Sequence, residues 1–91
     1  MRWPRIKYLT DWVILKHMRL KKRSFSIAGH RTSVALEPEF WAALETNAHA
    51  EGLSLAAMVA RIDANRGMRN LASALRVHVL ARALEKNAAV P

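Results

Sequence analysis

The chain contains no cysteine. A disulfide scaffold, a thiolate zinc site and a cysteine nucleophile are therefore excluded. A small domain without disulfides belongs in a reducing compartment. Glycine and proline number three each, and Gly29, Gly52 and Gly67 are scattered. Neither Gly-x-Gly-x-x-Gly nor a phosphate-binding loop exists. No serine sits in Gly-x-Ser-x-Gly, so a serine triad has no support. No apolar run approaches the roughly 20 residues needed to span a bilayer. None of His17, His30, His49 and His78 lies i, i+4 from another, and no carboxylate pair accompanies them at ligand spacing. No metal, no cofactor and no enzymatic activity are expected.

Acidic residues are scarce where basic ones are dense. Of the net charge of +8, residues 1–31 supply the whole excess, with nine Lys/Arg against Asp11 alone. Residues 32–91 balance six against six. A neutral body with a cationic arm points to an anionic polymer or surface as partner.

With 91 residues, one domain is the limit, and a monomer of this size buries a modest core. Residues 1–17 mix Trp3, Ile6, Tyr8, Leu9 and Trp12–Leu15 with Arg2, Arg5, Lys7 and Lys16. They lack the continuous apolar region of a signal peptide. A basic amphipathic helix resting on a membrane is one reading; a translated stretch upstream of a true start at Met18 is another. The cluster Arg19-Leu20-Lys21-Lys22-Arg23 follows.

Thr32, Val34 and Leu36 alternate with Arg31, Ser33 and Ala35, the period of a half-buried strand. Phe25 and Ile27 alternate in the opposite parity. The phase flips near Ala28-Gly29, through either a bulge or a tight turn at Ala28-Gly29-His30-Arg31. Pro38 opens a helix with Phe40, Trp41, Leu44 and Ala48 at helical spacing, and Gly52 ends it. Ser54 caps a second helix, whose Leu55, Met58, Val59 and Ile62 form one stripe. Asn70 or its neighbour opens a third over 71–84, with Leu71, Leu75, Val79 and Leu80 as core candidates. The tail, 86–91, is expected to fray.

The pattern is mainly α with one short β-strand. If 32–36 is the only strand, its backbone lacks a hydrogen-bonding mate within the chain. A second copy would supply one across a two-fold axis, as an antiparallel ribbon. Such a ribbon fits the major groove of DNA.

The run Thr32-Ser33-Val34-Ala35-Leu36, then Glu37-Pro38-Glu39-Phe40-Trp41-Ala42-Ala43-Leu44, then Ala48 and Gly52-Leu53-Ser54, resembles the ribbon-helix-helix family of dimeric DNA-binding proteins. The spacing of eight from Leu36 to Leu44 and the Gly-x-Ser between two short helices carry the resemblance, over about 23–63. Ala28-Gly29-His30-Arg31-Thr32-Ser33-Val34, with 71–80, looks like a bacterial subgroup with an appended C-terminal helix. The resemblance implies an intertwined ribbon-helix-helix dimer plus a third helix. The chain divides into a basic arm (1–22), the family domain (23–64) and a C-terminal helix with tail (65–91).

By position, base readout falls on Arg31, Ser33 and Ala35. Phosphate contacts fall on Ser54 and Leu55 at the second helix N-terminus, and on Lys21, Lys22, Arg23 and His30. Val34, Leu36, Phe40, Leu44, Met58, Val59 and Ile62 would form the dimer core. Ala35 departs from the pattern, since it offers only a methyl contact. The implied function is a homodimeric, sequence-specific DNA-binding protein. It would be a bacterial transcriptional regulator, cytoplasmic and nucleoid-associated, with double-stranded DNA and itself as partners, as a homodimer or, through the third helix, a higher oligomer. The alternative is an interaction module of the same fold, including antitoxin-like binding of a protein partner, with little base readout.

Overall fold

The computed structural model describes residues 19–89. The expectations for 1–17, and for Met18 as a start, lie outside the described residues. Among the described residues, two strands, β1 (Lys21–Ile27) and β2 (His30–Leu36), precede three helices, α1 (Pro38–Ala50), α2 (Leu55–Ala64) and α3 (Leu71–Ala89).

The expectation of a single strand is corrected. β1 and β2 form an antiparallel hairpin, with Ile27 opposite His30, Phe25 opposite Thr32, Arg23 opposite Val34 and Lys21 opposite Leu36. The argument that 32–36 needs a second copy because it has no mate in its own chain therefore fails. Of the two ways to flip the phase, the structure takes the tight turn. Ala28 and Gly29 have φ of 52° and 82°. Left-handed backbone at both central positions matches the twist of the flanking strands. Opposed residues share a face, so a two-residue turn makes odd positions of β1 and even positions of β2 point the same way.

Phe25, Ile27, Val34 and Leu36 are buried on that face beneath the helices. With them lie Trp41, Leu44, Met58, Val59, Ile62, Leu71 and Leu75, while Phe40 packs against the cluster. Of the residues assigned to a dimer core, all but the half-buried Phe40 are thus buried within one chain. Trp41 is 2 % exposed, and its Nε1 donates to the Lys21 carbonyl at 2.8 Å. Its ring centroid lies 5.9 Å from that of Phe25.

The helix ends follow their sequence signals. Leu53 N donates to Ala48 O and Gly52 N to His49 O at the end of α1, with Gly52 at φ 70°. This pair of bonds needs a left-handed residue, which glycine adopts without a side-chain clash. Ser54 Oγ accepts from Ala57 N at 3.0 Å. Asn70 Oδ1 accepts from Ser73 N at 2.8 Å and starts α3. Two expectations about α3 are corrected: it runs to Ala89, and Leu80 is 57 % exposed. Leu71, Leu75 and Val79 repeat every four residues along the core side. Leu80 stands about 100° further round the helix.

Charged side chains bind the helices to one another. Arg76 of α3 donates to Glu37, just before α1, from Nε at 3.0 Å and Nη2 at 2.9 Å. Glu51, at the end of α1, accepts from Arg61 of α2 and Arg82 of α3 on its two carboxylate oxygens. Its own backbone amide, then Arg76, holds the Glu37 carboxyl below its ordinary value of 4.5. Arg61, then Arg82, does the same to Glu51.

Depressed carboxyls contribute stability that is present above their ordinary pKa and is lost as pH falls through the lowered one. Thermal unfolding should therefore show a falling Tm as pH drops below 4.5. Glu51→Gln should lower Tm at neutral pH and shrink that acid loss; an unchanged acid limb would assign the loss to other groups. A second expectation concerns the turn. Asparagine tolerates the left-handed region better than alanine, so Ala28→Asn should stabilise by about 0.5–1 kcal/mol. That gain reads as a Tm rise of roughly 4 °C, and a fall would contradict the turn assignment.

Candidate nucleic-acid interface

Burying one face of the hairpin turns the other outward. On it β1 places Lys22, Ser24 and Ser26, and β2 places Arg31, Ser33 and Ala35, as the opposed pairs Lys22–Ala35, Ser24–Ser33 and Ser26–Arg31. All are exposed except Ala35, which is half-buried. Ser24 and Ser33 share a hydrogen bond between their hydroxyls at 2.9 Å. No acidic residue occurs between Arg19 and Leu36. The two cations stand diagonally, four residues apart along the ribbon, or about 13 Å. The face is a narrow polar strip whose only charges are positive.

The structure thus brings Arg31, Ser33 and Ala35 together on one surface, with Lys22 beside them. It does not bring Arg23 there. Arg23 lies on the inward side, where Nη1 pairs with Glu45 Oε1 at 2.8 Å and the guanidinium sits 5.1 Å from the Trp41 ring centroid. Lys21 and His30 share the parity of Arg23 and remain exposed at opposite ends of the hairpin. Ser54 and Leu55 stand at the start of α2, which packs against β1. Ser54 Oγ occupies the Ala57 amide, and the Leu55 and Ala56 amides, at the positive end of the helix dipole, have no backbone acceptor among the described residues.

Sequence reasoning missed Ser24 and Ser26 as members of this face and assigned Lys22 to an arm. The inverted parity of Phe25 and Ile27, together with Gly29, was the signal that places them there. Among the described residues, no group of three or more His, Asp or Glu could hold a metal ion. No helix among them is long and apolar enough to cross a membrane.

A family model described as a ribbon-helix-helix domain matches residues 20–83. The match takes in the hairpin, α1, α2 and most of α3. Among solved structures, the chain is similar to an uncharacterized protein from Bordetella pertussis Tohama I. The two are 26 % identical with a TM-score of 0.68, over 91 % of this chain and 74 % of that one. No curated protein matches the chain.

Proposed function

The chain belongs to the ribbon-helix-helix family, and from that premise we propose that it is a homodimeric DNA-binding regulator that reads the major groove with the outward face of its hairpin. The observation that carries this reading is the acid-free strip of Arg31, Ser33, Ser24, Ser26 and Lys22. The protein acts by binding rather than catalysis, and its place is on the nucleoid.

The dimer forms through the outer edge of β2. No backbone hydrogen bond joins either outer strand edge to another element among the described residues. The β1 edge carries Lys21, Lys22 and Arg23, the charges that discourage strand addition. β2 has neither lysine nor proline. Antiparallel pairing of β2 with its copy places both sets of Arg31, Ser33 and Ala35 at the centre of a four-stranded sheet. The outer strands then lie about 14 Å apart, close to the major-groove width of about 12 Å. Lys22, Ser24 and Ser26 therefore meet the phosphate rims, while the central strands face the bases. The α2 amides at Leu55 and Ala56 hold a further phosphate.

A second reading, an interaction module that includes antitoxin-like partner binding, is favoured by two observations. Ala35 has no hydrogen-bonding group, and Ser24 and Ser33 are engaged with each other.

Binding-site selection with the purified full chain at physiological salt separates the two. The expected result is an enriched motif with two-fold symmetry; a flat selection overturns base readout and leaves the interaction module. Arg31→Ala should weaken binding to the selected site about tenfold or more and relax preference at one base pair in each half. Lys22→Gln should weaken all sequences alike and flatten the salt slope by about 0.9 for each phosphate no longer neutralised. Arg23→Gln, whose partner is Glu45, should leave that slope unchanged.

A further inference from the structure

Helix α3 carries two apolar stripes on opposite sides. Leu71, Leu75 and Val79 pack on the core. Val77, Leu80 and Leu84 are 40 %, 57 % and 57 % exposed, at i, i+3 and i+7. At about 100° per residue the two stripes lie roughly 160° apart. Ala81 and Ala88 extend the outer one, and no charged residue interrupts it. A helix that is apolar on two opposite sides is one that is covered on both.

Beside this stripe an open groove of about 450 Å³ runs between α2 and α3, and Val77 belongs to both. Arg61, Arg66, Arg69 and His78 line it. Arg61 shares Glu51 with Arg82, Arg66 pairs with Asp63, and the Arg69 side chain has no carboxylate partner among the described residues. The groove therefore holds more positive than negative charge. Glu85 forms no ion pair among the described residues. It lies about a quarter turn from the midline of the outer stripe, on the flank of His78 and Ala74.

We propose that the outer stripe is covered by α3 of a second copy, packed antiparallel across a two-fold axis that passes between Leu80 and Ala81. In that register Val77 of one copy meets Leu84 of the other, and the two Leu80 side chains meet at the centre. The rotation reverses the direction of the helix but keeps each flank on its own side. Glu85 of one copy therefore comes to the level of position 76 of the other, on the flank where the arginine groove opens. A carboxylate without a partner meets a surplus of guanidinium charge, once on each side of the axis. This contact is separate from the β2 edge. Together the two would assemble four chains as a dimer of dimers.

Sedimentation of the full chain at micromolar concentration tests the contact. Leu80→Glu combined with Leu84→Glu should halve the particle mass. Both positions are exposed in the single chain, so the helical circular dichroism and Tm should stay close to wild type. Glu85→Arg should weaken self-association about tenfold, and adding Arg69→Glu to that chain should restore it. A wild-type chain that sediments as a single copy overturns the proposal. So does a mass unchanged by the double leucine substitution, the result expected if another protein or residues 1–18 cover the stripe. A charge-swapped chain that stays weak overturns the register. None of these outcomes depends on DNA, so failure here and failure of the groove-reading proposal are distinguishable.

Discussion

Two successive residues in left-handed backbone, Ala28 and Gly29, decide which side of the hairpin meets water. A two-residue turn fixes the register, and the register fixes parity. A shift of one residue would drive Arg31 and Ser33 into the core and bring Val34 and Leu36 out. With the observed register, Phe25, Ile27, Val34 and Leu36 close onto the helices, and every side chain left outside is small, hydroxylic or cationic. The polar strip is thus the reverse side of core formation. Its chemistry cannot change register without dismantling the interior.

That interior is completed by elements beyond a single strand and two helices. β1 contributes Phe25 and Ile27, and α3 contributes Leu71, Ala74 and Leu75. They cover Leu36, Leu44, Met58 and Val59 within one chain, so no copy needs to be borrowed to bury them. Glu51 then fastens α1 to both α2 and α3 through Arg61 and Arg82. Such exposed pairs contribute little individually, but a carboxylate shared by two guanidinium groups from separate helices limits how those helices move relative to each other. Among the described residues, contact between copies is left to the surfaces still unpartnered: the two outer strand edges and one helix face.

The helices were legible because their signals are local. Pro38, Gly52, Ser54 and Asn70 each mark an end through bonds that reach only a few residues along the chain. The apolar spacing of Trp41, Leu44 and Ala48 likewise named a buried face. The hairpin was only half legible. Lys21 and Lys22 read as the end of a basic arm that contacts phosphate, and strand pairing, a property of two segments together, places them with Arg23 in β1. Arg23 shows the consequence: its charge suggested a phosphate contact, yet parity places it over Trp41 and against Glu45. Leu80 misled for the converse reason. Hydrophobicity does not say which of two opposite helix faces the core will take.

The composition of the strip also bears on how a protein of this kind would discriminate among DNA sequences. One bidentate arginine is worth about 1–3 kcal/mol of discrimination at a base pair, whereas serine is an ambiguous reader and alanine contributes a methyl. On the proposed reading, a single hairpin with Arg31, Ser33 and Ala35 would carry little sequence information, while Lys22 and the α2 amides would add affinity without preference. Two-fold pairing through β2 would repeat the one strong reader at a fixed separation. Selectivity would then rest as much on the distance between two guanines as on their identity. Association through α3 would extend the same logic, because linked reading heads raise affinity only where the DNA offers their sites at the right spacing. A weak reader paired in this way would acquire specificity from geometry that its individual side chains lack.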